Sequence, residues 1–219
     1  MIKEYLEKYL LADRAEHDKR ERSGKMNPSK FGQCFLRQYR NRRNDPASDP
    51  VTIDVLKTFF AGNIIEEIIT SKIPKEFKQI VVEEEDVKGV LDFSLEGENE
   101  ICEVKSMNSW VFKKKLPHEA MIQDLFEMVP QYVLQSTYYA LKKGKKFVRL
   151  IFVSKNLDKL EIKEYVWETE RFRKEVEAEI EANRGFWKDQ SPPPPNPRLF
   201  DKKECQYCEF QTDCKGKPF

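Results

Sequence analysis

The stretch that decides the fold is GVLDFSLEGENEICEVK, at residues 89–105 of the 219-residue chain. Apolar and polar side chains alternate on both sides of a Gly-Glu-Asn turn signal, which predicts two antiparallel strands joined by a tight turn. A two-residue turn at the Gly-Glu pair places Asp92 opposite Glu103 and Phe93 opposite Cys102. The sequence therefore predicts a β-hairpin whose register brings two acids together.

The two faces of this hairpin are expected to differ in chemistry, because side chains alternate along a strand. One face is predicted to be apolar and to carry Leu91, Phe93, Leu95, Cys102 and Val104. The other face carries Asp92, Glu103 and Lys105. Two opposed carboxylates can hold one divalent cation, and a neighbouring ammonium group can orient water or stabilise charge on a phosphate. Alternatively, this is a solvated strand face on which Glu103 and Lys105 neutralise each other.

The rest of the sequence predicts a mixed α/β domain around this hairpin. Helical periodicity of apolar residues marks residues 55–69 and 119–142, and short β-rich runs mark residues 79–84, 147–153 and 160–166. The chain is 39% apolar, which is enough to build a core.

A run of prolines at residues 192–195 predicts an extended spacer, because proline can continue neither a helix nor an inner strand. The simplest division of the chain is one domain at residues 1–190, which includes an N-terminal helical segment. A proline spacer and a cysteine-rich tail then follow at residues 191–219.

Composition narrows the function classes. The 39 Lys and Arg and 38 Asp and Glu residues leave a net charge of +1, so any basic surface must be local. The chain lacks the motifs of zinc metalloproteases, serine hydrolases and phosphate-loop ATPases. No apolar run approaches the roughly 20 residues that a membrane helix needs, and no signal peptide is visible. A cytoplasmic protein without a membrane span is therefore expected.

The hairpin with its Asp, Glu and Lys resembles the PD-(D/E)XK nuclease superfamily. Among its members, the RecB-type nucleases carry a Gln-x-x-x-Tyr helix after these residues, and Gln135 and Tyr139 fit that pattern. The resemblance implies a restriction-endonuclease-like core, a central mixed sheet flanked by helices. It also implies that Gln135 and Tyr139 position the substrate and the lysine. Taken alone, the same spacing is also that of an ordinary amphipathic helix with Tyr139 in the core.

The resemblance also points to a third metal ligand on the helix before the hairpin. RecB-type relatives carry Gly-x-x-x-His there, whereas this chain has Gly62 followed by Glu66. An oxygen donor suits Mg²⁺ or Mn²⁺, so Glu66 is expected to join Asp92 and Glu103 as a ligand. Glu67 is the neighbouring alternative, and the other interpretation of either glutamate is a solvent-facing side chain on the rim of this helix.

Three cysteines lie near the end of the chain, at positions 205, 208 and 214, and suggest a metal site that needs a fourth ligand. Cys34 and Cys102 are the candidates, and Cys102 is expected to be buried in the hairpin. The spacing alone fits either zinc or an iron-sulfur cluster. The order of all these motifs resembles the CRISPR-associated iron-sulfur exonuclease family and AddB-type nuclease domains. That resemblance implies a 4Fe-4S cluster on Cys34, Cys205, Cys208 and Cys214, which would clasp the N- and C-terminal segments together.

The expected function is that of a metal-dependent exonuclease acting on single-stranded DNA. Family likeness suggests 5′-to-3′ degradation, in DNA recombination and repair or in CRISPR adaptation with protein partners. Local positive charge suggests DNA contacts at Arg37, Arg40, Lys113 and Lys114. Nearby aromatic residues either stack on unpaired bases or belong to the core: Phe31, Tyr39, Trp110 and Phe112. The alternative function is a catalytically inactive DNA-binding or adaptor subunit of a recombination or CRISPR-adaptation complex.

Overall fold

The computed structural model describes residues 2–19, 23–95, 97–156, 158–198 and 200–214, with side chains except at residues 17–19 and 200–203. Its helices are α1 (Ile2–Lys19), α2 (Phe35–Arg42), α3 (Ile53–Thr70), α4 (Ser109–Lys114), α5 (Ile122–Met128), α6 (Pro130–Lys142), α7 (Arg173–Lys188) and α8 (Gln211–Cys214). Its strands are β1 (Lys78–Glu83), β2 (Lys88–Phe93), β3 (Glu100–Met107), β4 (Phe147–Ser154) and β5 (Ile162–Glu168). The structure is therefore mixed α/β, as the sequence predicts.

In the described part of the chain these strands form one five-stranded mixed sheet, in the order β1-β2-β3-β4-β5. Strands β3 and β4 are parallel, and the other neighbouring pairs are antiparallel. The chain crosses between β3 and β4 through α4, α5 and α6, because parallel strands need a long connection. The sheet with its flanking helices agrees with the fold expected of a nuclease-like core.

Helices cover both faces of the sheet. On one face, Val133 of α6 and Val176 of α7 belong to the same buried cluster as Ile101 of β3. On the other face, Ile65 of α3 belongs to a second buried cluster with Cys102 of β3 and with residues of β2 and β4. Because both faces are covered, apolar side chains point to both sides of the inner strands β3 and β4.

The hairpin of β2 and β3 has the predicted register, since Phe93 pairs with Cys102. The predicted apolar face is wrong only at Leu91, since its other four residues belong to the cluster on the α3 side or pack against it. Leu91 belongs to the cluster on the α6 side, whereas Phe93 and its partner belong to the cluster on the α3 side. Leu91, Asp92 and Phe93 are all buried, because helices cover both faces of the sheet. The neighbouring strand is irregular there, since Gln79 has a φ of 51°.

The long helix predicted at residues 119–142 is two helices. Pro130 begins α6 at the first helical position, where its missing N–H costs no hydrogen bond. Val129, which precedes it, has φ −137° and ψ 57° and so lies outside helical geometry. The break separates α5, which contacts β5, from α6, which contacts β3 and β4.

The C-terminal tail packs back onto the N-terminal part of the chain. Glu204 accepts hydrogen bonds from the backbone N–H of Cys34 at 2.7 Å and of Arg198 at 3.1 Å. The Arg198 guanidinium donates in turn to Glu179 of α7 at 2.6 Å. The division at residue 190 stays a prediction. None of the helices in the described ranges is long and apolar enough to cross a membrane.

Candidate active site

The structure brings together six residues that the sequence singles out, and they come from four elements. Glu66 lies on α3 and Asp92 near the end of β2, whereas Glu103 and Lys105 lie on β3. The other two, Gln135 and Tyr139, lie on α6 with the spacing of one helical turn. The site therefore sits where the hairpin meets the helices on both faces of the sheet.

Glu103 is the centre of this group and is completely buried. Its Oε1 accepts hydrogen bonds from Lys105 Nζ at 2.5 Å and from Gln135 Nε2 at 2.6 Å. Its Oε2 has no hydrogen-bond partner among the described residues. A buried carboxylate oxygen without a partner is unfavourable unless a cation or a proton satisfies it. This atom is therefore the strongest indication of a ligand at the site.

Asp92 and Glu66 lie beside Glu103 and are held by different partners. Asp92 Oδ2 accepts a hydrogen bond from the backbone N–H of Val104 at 2.7 Å, so this side chain reaches across to β3. Glu66 Oε1 accepts one from Gln79 Nε2 at 3.0 Å. The positive φ of Gln79 turns this side chain out of the regular strand pattern, and nothing in the sequence signalled its role.

The acids of the site are all harder to ionise than usual. Burial raises the pKa of Glu103 to about 8, and repulsion from Asp92 and Glu66 adds to the effect against the attraction of Lys105. Burial also raises the pKa of Asp92. For Glu66, burial and then the Asp92 charge raise the pKa. Three carboxyl groups with raised pKa values in one place suit a divalent cation, which would relieve both burial and repulsion.

Lys105, in contrast to these acids, holds its charge more strongly than usual. Burial opposes its charge, yet Glu103 and Asp92 together raise the pKa of Lys105 above its usual value. Its ammonium nitrogen also lies 5.7 Å from the ring centre of Tyr132, one turn before Gln135 on α6. Lys105 is therefore a fixed positive charge next to the carboxylates. Tyr132 was not singled out from the sequence, although its position three residues before Gln135 places it on the same face of the helix.

Two glycines let the helices approach the strands of the site. A Cβ atom at Gly62 would lie 3.0 Å from Ser106 Oγ, so the absence of a side chain brings α3 close to β3 and Glu66 close to Asp92. A Cβ atom at Gly89 would lie only 2.5 Å from the Tyr139 hydroxyl. Each glycine thus makes room for a site residue.

The donor chemistry of Asp92, Glu103 and Glu66 fits a hard divalent cation, and the partnerless oxygen of Glu103 supports this. Across the described residues, however, no three His, Cys, Asp or Glu side chains are grouped closely enough to hold one metal ion. Lys105 and Gln135 both donate to Oε1 of Glu103, so Oε2 is the oxygen of this carboxyl group that is open to a ligand.

The four cysteines singled out from the sequence line a single cavity of about 120 Å³: Cys34, Cys205, Cys208 and Cys214. Cys102 lies elsewhere, in the core on the α3 side of the sheet, where burial raises the pKa of its thiol to about 12. Burial also raises the pKa of Cys208, to about 11. The thiols converge on one place, although within the described chain they do not form a closed metal-binding group.

The basic residues expected to contact DNA are mostly ion-paired within the protein. Arg37 pairs with Glu209 at 2.6 Å, and Arg40 pairs with Asp213 at 2.6 Å. Lys113 pairs with Glu161 at 3.0 Å. Lys114 is exposed on α4. The first two pairs attach the C-terminal tail to α2, so these arginines have a structural role, and the DNA-binding role remains a prediction.

The sheet order and the flanking helices define a fold that is shared with solved exonuclease structures. No protein-family model and no curated protein matches the sequence. A crystal structure of SSO0001 is similar, with a TM-score of 0.61 and 17% identity over 100% of this chain and 98% of that one.

Two similar structures are described as exonucleases. An alkaline exonuclease from Laribacter hongkongensis has a TM-score of 0.50 and 13% identity, over 76% of this chain and 89% of its own; it has also been solved with dAMP. A phage-related exonuclease from Haemophilus somnus 129PT has a TM-score of 0.50 and 14% identity, over 71% and 80% of the two chains. These likenesses show the fold.

Proposed function

We propose that this protein is a metal-dependent nuclease that hydrolyses phosphodiester bonds in DNA as an exonuclease. The observation that carries the proposal is the buried Glu103 Oε2, which has no partner among the described residues and lies beside two further acids and a half-buried lysine. A structural ion pair would need no such oxygen, whereas a metal-binding carboxylate does. The shared fold with exonuclease structures supports the same function.

In this proposal Asp92, Glu103 and Glu66 would hold Mg²⁺ or Mn²⁺, which would polarise the phosphate and lower the pKa of a bound water. Lys105 places a permanent positive charge where negative charge develops on the phosphate. Gln135 keeps Glu103 and Lys105 in place through its hydrogen bond to Oε1. Tyr139 lies one turn after Gln135 on the same face of α6, and burial together with the nearby Glu103 charge raises the pKa of its hydroxyl, so it lies close to this arrangement and can support it.

We extend the proposal to the substrate and the cellular role. The resemblance to RecB-type nucleases implies single-stranded DNA, 5′-to-3′ degradation, and protein partners in recombination or CRISPR adaptation. A cytoplasmic location would suit these processes.

The thiol cavity supports a 4Fe-4S cluster as a second part of the proposal. Four cysteines from both ends of the chain line it, and its other walls include the apolar Leu36 and Phe210. Iron-sulfur clusters are held by such sets of thiolates. In this role the cluster would tie α2 to the C-terminal tail. The visible spectrum of anaerobically purified protein tests it: broad brown absorbance supports iron, and a colourless protein with bound zinc contradicts it.

Activity on end-labelled DNA tests the nuclease. With Mn²⁺ or Mg²⁺, the wild-type protein should shorten single-stranded DNA, and Asp92→Asn and Lys105→Met should reduce the rate at least 100-fold. Such a loss corresponds to about 3 kcal/mol of transition-state stabilisation. Asp92→Asn retains an oxygen that can accept the Val104 N–H, so it should still fold.

Asp158→Asn makes the same substitution at an exposed position and serves as the control. It should cleave like the wild type. If wild-type protein binds DNA and leaves it intact with either metal, the nuclease proposal fails and the inactive DNA-binding subunit takes its place.

A further inference from the structure

An exposed aromatic residue lies on the same face of α3 as Glu66. Phe59 precedes Glu66 by seven residues, so the two side chains differ by only about 20° around the helix and by about 10 Å along it. Phe59 is 54% exposed. Gly62, which lies against Ser106 of β3, is between them on this face. Phe59 is therefore an exposed ring that continues the surface of the candidate active site.

A lysine lies beside this ring. Lys155 Nζ donates to the carbonyl oxygen of Thr58 at 3.0 Å and lies 3.9 Å from where a Cβ atom of Gly62 would be. No carboxylate in the described ranges forms an ion pair with it, and partial burial lowers the pKa of its ammonium group. An ammonium group has three donors, so donors remain for a phosphate.

A second exposed aromatic residue is connected to the segment that carries Lys155. Trp110 lies in the first turn of α4 and is 60% exposed. Its neighbour Ser109 is hydrogen-bonded to Ser154, at 3.1 Å between the two hydroxyl oxygens. The other three aromatic residues that the sequence offered for base stacking are buried: Phe31, Tyr39 and Phe112. Trp110 is therefore the member of that set that is available to a ligand.

We propose that Phe59, Trp110 and Lys155 form a subsite that binds unpaired nucleotides of the DNA strand next to the bond that is cut. This inference rests on the proposed nuclease function and names its substrate form. Exposed rings offer stacking surfaces to unpaired bases, and the ammonium group of Lys155 can bind the phosphate backbone. Bases in a duplex are already stacked on their neighbours, so the subsite selects single strands.

The rest of the exposed apolar surface of α3 lies on another face. Phe60, Ile64 and Ile68 follow one another at four-residue spacing, and they are turned well away from Glu66 around the helix. Ile68 is 48% exposed, similar to Phe59. Ile68→Ala therefore removes a comparable exposed apolar side chain without touching the proposed subsite, and it serves as the matched control.

Binding without metal tests the subsite separately from catalysis. Fluorescence anisotropy with a labelled oligothymidylate in EDTA should give a Kd that rises five- to about 150-fold in Phe59→Ala and in Trp110→Ala, from the loss of about 1–3 kcal/mol of stacking per base. Phe59→Leu, which retains apolar surface but no ring, should lose affinity too. Lys155→Gln should weaken the salt dependence of binding. The Kd of Ile68→Ala for the oligothymidylate should match that of the wild type. The affinity for blunt duplex should be the same in all variants as in the wild type.

The two proposals fail in different ways. If Phe59→Ala and Trp110→Ala bind oligothymidylate like the wild type while wild-type protein cleaves DNA with Mn²⁺, the subsite is wrong and the nuclease stands. If these variants lose affinity for oligothymidylate but not for duplex, and no protein cleaves, the subsite is supported as a binding site and the nuclease proposal fails. Equal loss of affinity for duplex in these variants overturns the selection of single strands.

Discussion

Glu103 shows how one buried side chain can combine a structural and a chemical role. Its inner oxygen joins β3 to α6 through Gln135 and accepts from Lys105, whereas its outer oxygen has no partner in the described structure. A protein that used Glu103 only for stability would be expected to satisfy both oxygens. The cost of the unsatisfied oxygen is consistent with a site that is completed by a ligand.

The raised pKa of Glu103 makes the stability of the metal-free protein depend on pH. Between the unfolded pKa of 4.5 and the folded value of about 8, the folded state binds more protons than the unfolded state. The free energy of unfolding should therefore fall as pH rises from 5 to 8, by at most about 1.4 kcal/mol per unit from this group. Asp92 and Glu66, whose pKa values are also raised, act in the same direction.

Urea unfolding in EDTA at several pH values measures this slope. Glu103→Gln cannot lose a proton at this position, so its slope should be clearly shallower than that of the wild type. A wild-type stability that rises between pH 5 and 8 would contradict the assignment. Adding Mn²⁺ should raise wild-type stability most at high pH, because the cation binds the ionised carboxylates.

The hairpin and the helix that follows it show which elements sequence patterns can predict. The register of Phe93 with Cys102 follows from a turn and an alternation that are local. The pattern does not show that Leu91 and Phe93 join different clusters, because that depends on which helices cover the sheet and not on the local sequence. The break of the predicted helix at Pro130 was visible in the sequence, but the strong apolar periodicity on both sides concealed it.

The contact between β2 and α6 depends on Gly89. Its Cβ position is 2.5 Å from the Tyr139 hydroxyl and 2.9 Å from Cδ of Pro28, so Gly89→Ala must displace at least one of them. Overpacking of this kind costs about 1–3 kcal/mol. Chemical denaturation should show a loss of that size, and DNA cleavage should fall too if Tyr139 supports Gln135.

A double variant identifies the group that is displaced. Tyr139→Phe removes the hydroxyl oxygen that is nearest to the added methyl group, so Gly89→Ala should cost less in that background than in the wild type. Equal costs in both backgrounds would show that Pro28, and not Tyr139, is the residue that moves.

At the scale of the whole molecule, residues 32–38 contact α7 and the C-terminal tail. In the sequence, only the spacing of the cysteines suggested that these segments meet. Glu179 of α7 is buried and accepts hydrogen bonds from the Gly32 backbone, from Gln38 and from Arg198. These partners are far apart in the sequence, and a glutamate in a charged helix gives no sign that it is buried. The thiol cavity lies at the same junction, so polar contacts already hold the tail against α2.

We expect a buried ion pair at this junction to contribute far more to the free energy of unfolding than an exposed ion pair of similar length. Arg198 Nη1 and Glu179 Oε2 are 2.6 Å apart, and the Glu179 side chain is 1% exposed. Arg198→Met removes a charged hydrogen bond from this buried carboxylate and should lower the free energy of unfolding by about 1.5–3 kcal/mol. Arg173, by contrast, pairs with Glu170 on an exposed surface where solvent screens the charges, so Arg173→Met should lower the free energy of unfolding much less than Arg198→Met does.

Limited proteolysis shows whether the loss is local to the tail. The Arg198 guanidinium also lies 4.5 Å from the ring centre of Phe35 in α2, and its backbone N–H donates to Glu204. Arg198→Met therefore removes guanidinium contacts with both α2 and α7 and loosens the tail that follows the proline spacer. Cleavage by trypsin after Lys202 and Lys203 should therefore become faster in Arg198→Met than in Arg173→Met, before the core unfolds. If the two variants are cut at the same rate and unfold alike, the tail is held by its thiols and by the Arg37 and Arg40 pairs instead.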